Sequence, residues 1–125
     1  MLYRVIFASD VADLSAVSIA QILGASVANN RRDDVTGCMS IRDGRIVQVV
    51  EGSRLDLDRL MDRVRADRRH SGLRVLSDTP IVARRMNHPM TLCADPAELL
   101  ELAEAPPPSW TLARTGASRS QLQDA

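Results

Sequence analysis

The sequence contains no lysine, and its sixteen basic residues, all arginine, are balanced by sixteen acidic residues. A formal net charge of zero gives the chain no bulk electrostatic attraction for nucleic acid or for an anionic membrane surface. Neither of these partners is therefore predicted. The exclusive use of arginine is interpreted first as a coding bias, and only second as a preference for bidentate contacts with anions.

Long apolar runs and paired cysteine motifs are also missing. No stretch approaches the roughly 18 apolar residues of a membrane-spanning helix, and the first residues lack the pattern of a secretory signal. The two cysteines, Cys38 and Cys93, are not in CxxC spacing, and with His70 and His88 they form no zinc pattern. These absences predict a reduced, cytoplasmic protein without a metal site.

Aromatic side chains are scarce, since only Tyr3, Phe7 and Trp110 are present. The core must therefore be built from aliphatic residues and methionine. A chain of 125 residues buries roughly two-thirds of its unfolded surface, which suffices for one core. We expect one folded domain over residues 1–92, a short helix over 93–105, and a flexible tail over 106–125 that begins with a run of prolines.

The first half of the chain predicts a strand, a helix and a hairpin. Residues 2–8 are apolar and β-branched, which favours a strand. Ser15 can cap a helix whose apolar positions repeat at helical spacing and whose end is expected near Asn29 and Asn30. Two extended runs within residues 35–51 flank Asp43 and Gly44, a pair typical of the type I′ turn of a β-hairpin.

The second half predicts a helix and two short strands. Gly52 is expected to end the hairpin, and Ser53 with Asp56 resembles a capping pair for a helix that runs to about Asp67. Strands are expected at residues 73–76 and 81–83, with a turn at 77–80 between them. The order β-α-β-β-α-β-β predicts an α+β, ferredoxin-like sheet with both helices on one face. A third helix beginning at residues 95–96 could cover the other face.

Three carboxamide side chains are the unusual polar groups within this fold. Gln48 interrupts an apolar strand, so it either faces solvent or is buried and requires a hydrogen-bonding partner. Asn29 and Asn30 either close the first helix for backbone reasons or face the slot between the two helices. Carboxamides from helix and sheet together offer donors and acceptors that suit a planar heterocycle such as a flavin.

The sequence resembles the BLUF domain, the family of blue-light sensors that bind FAD. The resemblance extends over residues 2–92, and it is carried by the stretches LYRVIFAS, NNRRDDVTG, RDGRIVQVVEG, ADRRHSGLRVL and IVARRM followed by Met90. It implies a β-α-β-β-α-β-β fold with FAD between the two helices.

The resemblance also implies roles for individual residues. Asn30 matches the asparagine that binds the flavin ring, Gln48 matches the glutamine whose rearrangement is the light signal, and Asn29 lies at a position that is often histidine or asparagine. The family positions near the ring, the ribityl chain or the phosphates are occupied by Arg63, Asp67, Arg69 and His70. A solvated surface role remains open for the arginines, as does a helix-capping role for His70.

The sequence departs from the family at its photochemical positions. Phe7 stands where the family has a tyrosine that donates an electron and a proton to the excited flavin, and phenylalanine has no hydroxyl. Tyr3 lies on the same strand face but about 13 Å away. The segment after the last strand is shorter than usual, with His88 near the family's tryptophan position and Met90 at its end.

The leading prediction is a FAD-binding sensory or regulatory domain without the usual blue-light photocycle, acting through a regulatory protein partner or a homo-oligomer. The alternative is a flavin-free interaction module in which Met39 or Met61 fills the slot. Enzymatic activity is not expected. Residues 8–11 contain no glycine for a phosphate-binding loop, and no nucleophile and base are suitably arranged.

Overall fold

The computed structural model describes residues 1–93, which form a five-stranded sheet and two helices. In chain order the elements are β1 Leu2–Asp10, α1 Ala16–Arg32, β2 Thr36–Arg42, β3 Arg45–Ser53, α2 Arg54–Ala66, β4 Ser71–Ile81 and β5 Thr91–Leu92. The strand order is β4-β1-β3-β2-β5, with β5 parallel to β2 and the other pairs antiparallel. This arrangement confirms the predicted α+β, ferredoxin-like fold. The third helix and the tail predicted beyond residue 93 lie outside the described residues.

Both helices begin at the serines predicted to cap them. The Ser15 Oγ accepts a hydrogen bond from the Ser18 N–H at 3.2 Å, and the Ser53 Oγ accepts one from the Asp56 N–H at 3.2 Å. The second helix ends one residue before Asp67, close to its predicted end. The first helix continues beyond its predicted end to Arg32, so the two asparagines lie in its last turns instead of closing it.

The hairpin between β2 and β3 has the predicted turn. Asp43 and Gly44 both adopt positive φ, at 54° and 77°, as a type I′ turn requires. Gly52 does not end the second strand, because β3 continues to Ser53 and Gly52 pairs with Tyr3 of β1.

The region after α2 differs from the prediction. Instead of two short strands and a turn, residues 71–81 form the single strand β4, in which Asp78, Thr79 and Pro80 pair with β1. β4 neighbours only β1 in the order of described strands, and an edge position tolerates a proline because the missing N–H is not needed there. The strand predicted at 81–83 was wrong, since β5 lies at Thr91–Leu92.

The sheet carries an apolar cluster on each face. The larger cluster lies between the sheet and the helices and contains Phe7, Ile22, Met39, Leu57 and Leu60 among its buried residues. The smaller cluster, on the opposite face, consists of Ile6, Ala8, Cys38, Val47, Val49 and Met86, with Cys93 packed against it. No helix within residues 1–93 is long and apolar enough to cross a membrane. The same part of the chain holds no group of side chains that could bind a metal ion.

Both cysteines are free thiols, but their surroundings differ. Cys38 is buried on β2, and burial, together with the neighbouring Cys93 thiol, raises the pKa of Cys38 to about 12. Cys93 is partly exposed.

We expect a thiol reagent such as Ellman's reagent to modify the native protein in two phases. Cys93 should react quickly, whereas Cys38 should react only as the fold opens, because thiolate is the reactive form and burial disfavours it. The variant Cys93→Ser should show the slow phase alone. Equal rates for both thiols in the native protein would contradict this assignment.

Candidate functional site

A pocket opens between α1 and α2 above the middle of β3. Its volume is about 420 Å³ when the open mouth is included, but the centre of a water molecule reaches only about 50 Å³ of it. The pocket is therefore narrow. The lining residues are Ile22, Ala25, Ser26, Asn29, Asn30, Gln48, Leu60, Arg63, Val64, Asp67 and His70. The fold thus brings six of the seven predicted binding residues to one pocket. The seventh, Arg69, does not line the pocket but forms an ion pair with Asp67, which does.

Gln48 lies on the floor of the pocket. Its side chain is 3% exposed, and its sheet neighbours are Phe7 on β1 and Met39 on β2. It is therefore buried and does not face bulk solvent. Gln48 lines the pocket, so a group that enters the pocket can reach its carboxamide. A carboxamide offers both donors and an acceptor, so Gln48 is suited to bind a polar group that enters the pocket.

Asn30 supplies a second carboxamide from the last turns of α1. Its side chain is 1% exposed, and its Nδ2 donates a hydrogen bond to the backbone carbonyl of Pro89 at 2.8 Å. This bond fixes the orientation of the amide and leaves its carbonyl oxygen as an acceptor for a second group. Asn29, the next residue, also lines the pocket.

His70, which follows α2 in the chain and lines the pocket, is hydrogen-bonded to Ser9 of β1. The Nδ1 of His70 and the Oγ of Ser9 are hydrogen-bonded at 2.8 Å, and Ser9 is fully buried. Sequence reasoning missed Ser9, although it lies two residues after Phe7 on β1, where alternation favours the same face. Because Ser9 has no exposed surface, the pair is not an accessible nucleophile and base.

Near this pair, Asp67 forms an ion pair with Arg69, which is two residues further along the chain. The Asp67 Oδ2 accepts from the Arg69 guanidinium at 2.7 Å, and Oδ1 accepts from the Arg69 N–H at 2.9 Å. These hydrogen bonds hold the pKa of Asp67 below its usual value. Burial lowers the pKa of His70, and the Asp67 carboxylate only partly opposes this. The imidazole is therefore neutral at pH 7.

The lowered pKa of His70 predicts a specific loss of stability in mild acid. Between the lowered folded-state pKa and the ordinary value near 6.5, the unfolded chain binds a proton that the folded chain does not. The free energy of unfolding therefore falls as the pH decreases through this range. In urea titrations from pH 7.5 to 5, we expect His70→Gln to lose less stability than the wild type. His88→Gln, at an exposed position, controls for the loss of an imidazole. Parallel pH profiles for wild type and His70→Gln would refute the assignment.

Arginines and acidic residues are paired at the mouth of the pocket. The Arg63 Nη2 lies 2.9 Å from the Asp33 Oδ2, in an ion pair without good hydrogen-bond alignment. Arg32 shares the same carboxylate, and its hydrogen bond is the main cause of the lowered pKa of Asp33, with Arg63 contributing less. An anionic group entering the mouth would therefore compete with acidic partners already present.

The three positions that depart from the family lie outside the pocket lining. Phe7 is fully buried beneath it, opposite Gln48. Met90 is buried in the core between sheet and helices, whereas His88 is exposed and only its backbone carbonyl is engaged, by the Gly37 N–H at 3.0 Å. Met39 and Met61 are also core residues, and neither lines the pocket.

The fold is shared with several solved structures. BlrB, described as a BLUF protein and solved in its dark state, is 30% identical with a TM-score of 0.69, and the match covers 91% of this chain and 83% of BlrB. A bacterial light-regulated adenylyl cyclase is 27% identical with a TM-score of 0.71, over 92% of this chain. BlrP1 of Klebsiella pneumoniae, in a manganese and cyclic-diGMP complex, is 24% identical with a TM-score of 0.68, over 75% of this chain.

This chain spans only part of two of these proteins. The match covers 33% of the cyclase and 24% of BlrP1, so in each the shared fold is one part of a longer chain. No curated protein sequence matches this chain. The family model for sensors of blue light using FAD matches residues 2–90, which is most of the chain. By this match and by the architecture around its pocket, the chain belongs to the BLUF family of flavin-binding, blue-light sensory domains.

Proposed function

We propose that this protein is a FAD-binding regulatory domain that lacks the usual blue-light photocycle. The observation that carries the proposal is the pairing of Phe7 with Gln48. The two residues are direct neighbours across β1 and β3, both are buried, and Phe7 has no hydroxyl with which to hold the carboxamide or to release a proton.

The residues of the pocket fit a flavin. The carboxamide of Gln48 on the pocket lining and the acceptor oxygen of Asn30 offer the donors and acceptors that the polar edge of the ring needs. Asn29 lies beside them. Arg63, Asp67, Arg69 and His70 would lie near the ring or the ribityl and phosphate chain, and of these the arginines would contact the phosphates. Bound FAD would supply blue-light absorption and one- or two-electron redox chemistry.

No other aromatic residue of the described chain can replace the missing hydroxyl by contact. Tyr3 is four residues before Phe7, about 13 Å along the strand. Its ring lies under the Arg54 guanidinium, 4.7 Å from the ring centroid. Coupled transfer of a proton from Tyr3 to the pocket is excluded at this distance, so light would not drive the usual rearrangement of Gln48.

Output from such a domain would depend on whether flavin is bound, or on its redox state. The matched structures include proteins in which the shared fold is part of a longer chain, one of them a light-regulated cyclase. By analogy, we propose that this domain acts on a regulatory protein partner or on a second copy of itself.

The test is an absorption spectrum of the purified protein, with and without added FAD, before and after blue illumination. We expect a flavin spectrum that shows no reversible red shift. A reversible shift in the wild type would overturn the argument from Phe7. Absence of flavin even after addition of excess FAD would overturn the assignment of the cofactor.

A second candidate function follows from the narrowness of the pocket. Only about 50 Å³ is accessible to the centre of a water molecule, so a flavin could enter only if side chains moved or the helices separated. A flavin-free interaction module would have no need for that change. Protein that remains colourless with excess FAD, yet folded by circular dichroism, would favour this second function.

A further inference from the structure

The segment that returns from β4 toward β5, residues 84–90, is bonded to three elements of the fold. We call it the return segment. At its end, Gly37 of β2 donates to the His88 carbonyl at 3.0 Å, and Asn30 of α1 donates to the Pro89 carbonyl at 2.8 Å. At its start, the Arg84 guanidinium donates to the Glu51 carbonyl of β3 at 2.9 Å. A segment of irregular backbone is thus held in one position by the sheet and by the pocket helix.

The side chain of Glu51 provides the most deeply buried of these attachments. It is fully buried, and its Oε1 accepts from the backbone N–H groups of Arg85 and Met86, at 2.7 and 3.1 Å. Its Oε2 accepts from Arg4 of β1, from Nε at 2.8 Å and from Nη2 at 2.7 Å. The side chain of Arg4 is only 8% exposed. One carboxylate therefore fixes two consecutive amides of the return segment, while a guanidinium balances its charge.

This ion pair lies on the sheet face opposite the pocket. Gln48 and Glu51 both belong to β3, but alternation places Gln48 toward the helices and Glu51 on the other side. The Arg4–Glu51 pair therefore cannot touch a ligand in the pocket directly. Its route to the pocket is through the return segment, whose Pro89 carbonyl orients the Asn30 amide and whose Met90 packs in the core above the sheet.

We propose that Arg4 and Glu51 are positioning residues for the pocket, because they fix the return segment and through it the Asn30 carboxamide. The claim that the position of the Asn30 carboxamide matters for flavin binding rests on the proposed function. The claim that Arg4 and Glu51 fix this position does not. A buried charge pair with several hydrogen bonds has one favourable geometry, since displacement leaves an unpaired buried charge. Glu51 thereby restricts where Pro89 can lie. The Asn30 side chain is restricted in turn, because it is hydrogen-bonded to the Pro89 carbonyl.

The experiment compares Glu51→Gln with a matched surface variant. Asp78→Asn, on β4, removes one of the two acidic partners of Arg54, which lies at the start of α2. This ion pair involves neither the return segment nor the pocket lining. Two readouts are used: the NMR resonances of the Asn30 side-chain amide without FAD, and the affinity for FAD measured by flavin fluorescence. General loss of stability would not by itself move the Asn30 amide resonances of the folded protein.

We expect Glu51→Gln to move the Asn30 amide resonances toward those of a solvent-exposed amide and to weaken FAD binding about tenfold, the loss typical of one hydrogen bond. Asp78→Asn should change neither readout. The double variant Arg4→Gln/Glu51→Gln restores a neutral pair, so it should recover part of both effects. It also supplies a folded protein if the unpaired Arg4 prevents the single variant from folding.

Unchanged Asn30 resonances in Glu51→Gln, or in the double variant if only that folds, would overturn the proposal. If the wild type binds no FAD, the proposed function fails, whereas the Asn30 resonances still decide the positioning role. Changed resonances with unchanged FAD affinity would likewise overturn the link to the flavin.

Discussion

Phe7→Tyr should give this protein a reversible, light-induced red shift of its flavin absorption band. The substitution adds a single hydroxyl to a fully buried ring that is paired across the sheet with Gln48. That hydroxyl would supply both a hydrogen bond to the carboxamide and a proton to release on oxidation. The expected change is from no photocycle to a photocycle, to be measured by difference spectra during illumination and dark recovery.

The control for this gain of function is Tyr3→Phe in the Phe7→Tyr background. Tyr3 is the only tyrosine of the wild-type chain, so the double variant has its single tyrosine at position 7. It should keep the light response. A response that disappears with Tyr3 would show that the electron comes from the far end of β1. A Phe7→Tyr variant that binds FAD but shows no shift would mean that the pocket has lost more than a hydroxyl.

Ala25→Phe should weaken FAD binding strongly while leaving the fold intact. Ala25 lines the pocket from α1, and the enclosed space there is too small to accept an aromatic ring and a ligand together. Overpacking of a confined site costs about 1–3 kcal/mol, which corresponds to a loss of affinity of roughly fivefold to somewhat more than a hundredfold. Titration of FAD fluorescence would measure the loss.

The matched control is Ala28→Phe, at an exposed position of the same helix. It introduces the same side chain outside the pocket and should bind FAD as the wild type does. If Ala25→Phe also bound FAD normally, the cofactor would not lie between α1 and α2.

The sequence was sufficient to predict the features that local chemistry controls. Ser15 and Ser53 cap their helices because a hydroxyl before an amphipathic run satisfies free N–H groups. Gly44 closes the hairpin because few residues adopt positive φ. The resemblance then indicated which polar residues would meet in a pocket, and six of them do.

The errors have a common physical cause, which is tertiary context. Asp78 and Pro80 are typical of turns, yet they lie in β4 because β1 pairs with the whole strand and an edge tolerates proline. The hydrogen bond between Ser9 and His70 joins residues 61 positions apart. The sequence analysis made no prediction for Glu51, whose burial involves contacts with Arg85 and Met86, more than 30 positions away.

The length and position of β4 bear on how this protein avoids self-aggregation. A strand with one unpaired side is a template on which another polypeptide can extend the sheet. β4 exposes Val75 and Leu76 on that strand, at 49% and 52%, but it also carries Arg74 and Asp78 and a proline that cannot donate a ladder hydrogen bond. These residues disfavour the addition of another strand at this edge of the described sheet. Two of them, Asp78 and Pro80, belong to the segment that was predicted to form a turn.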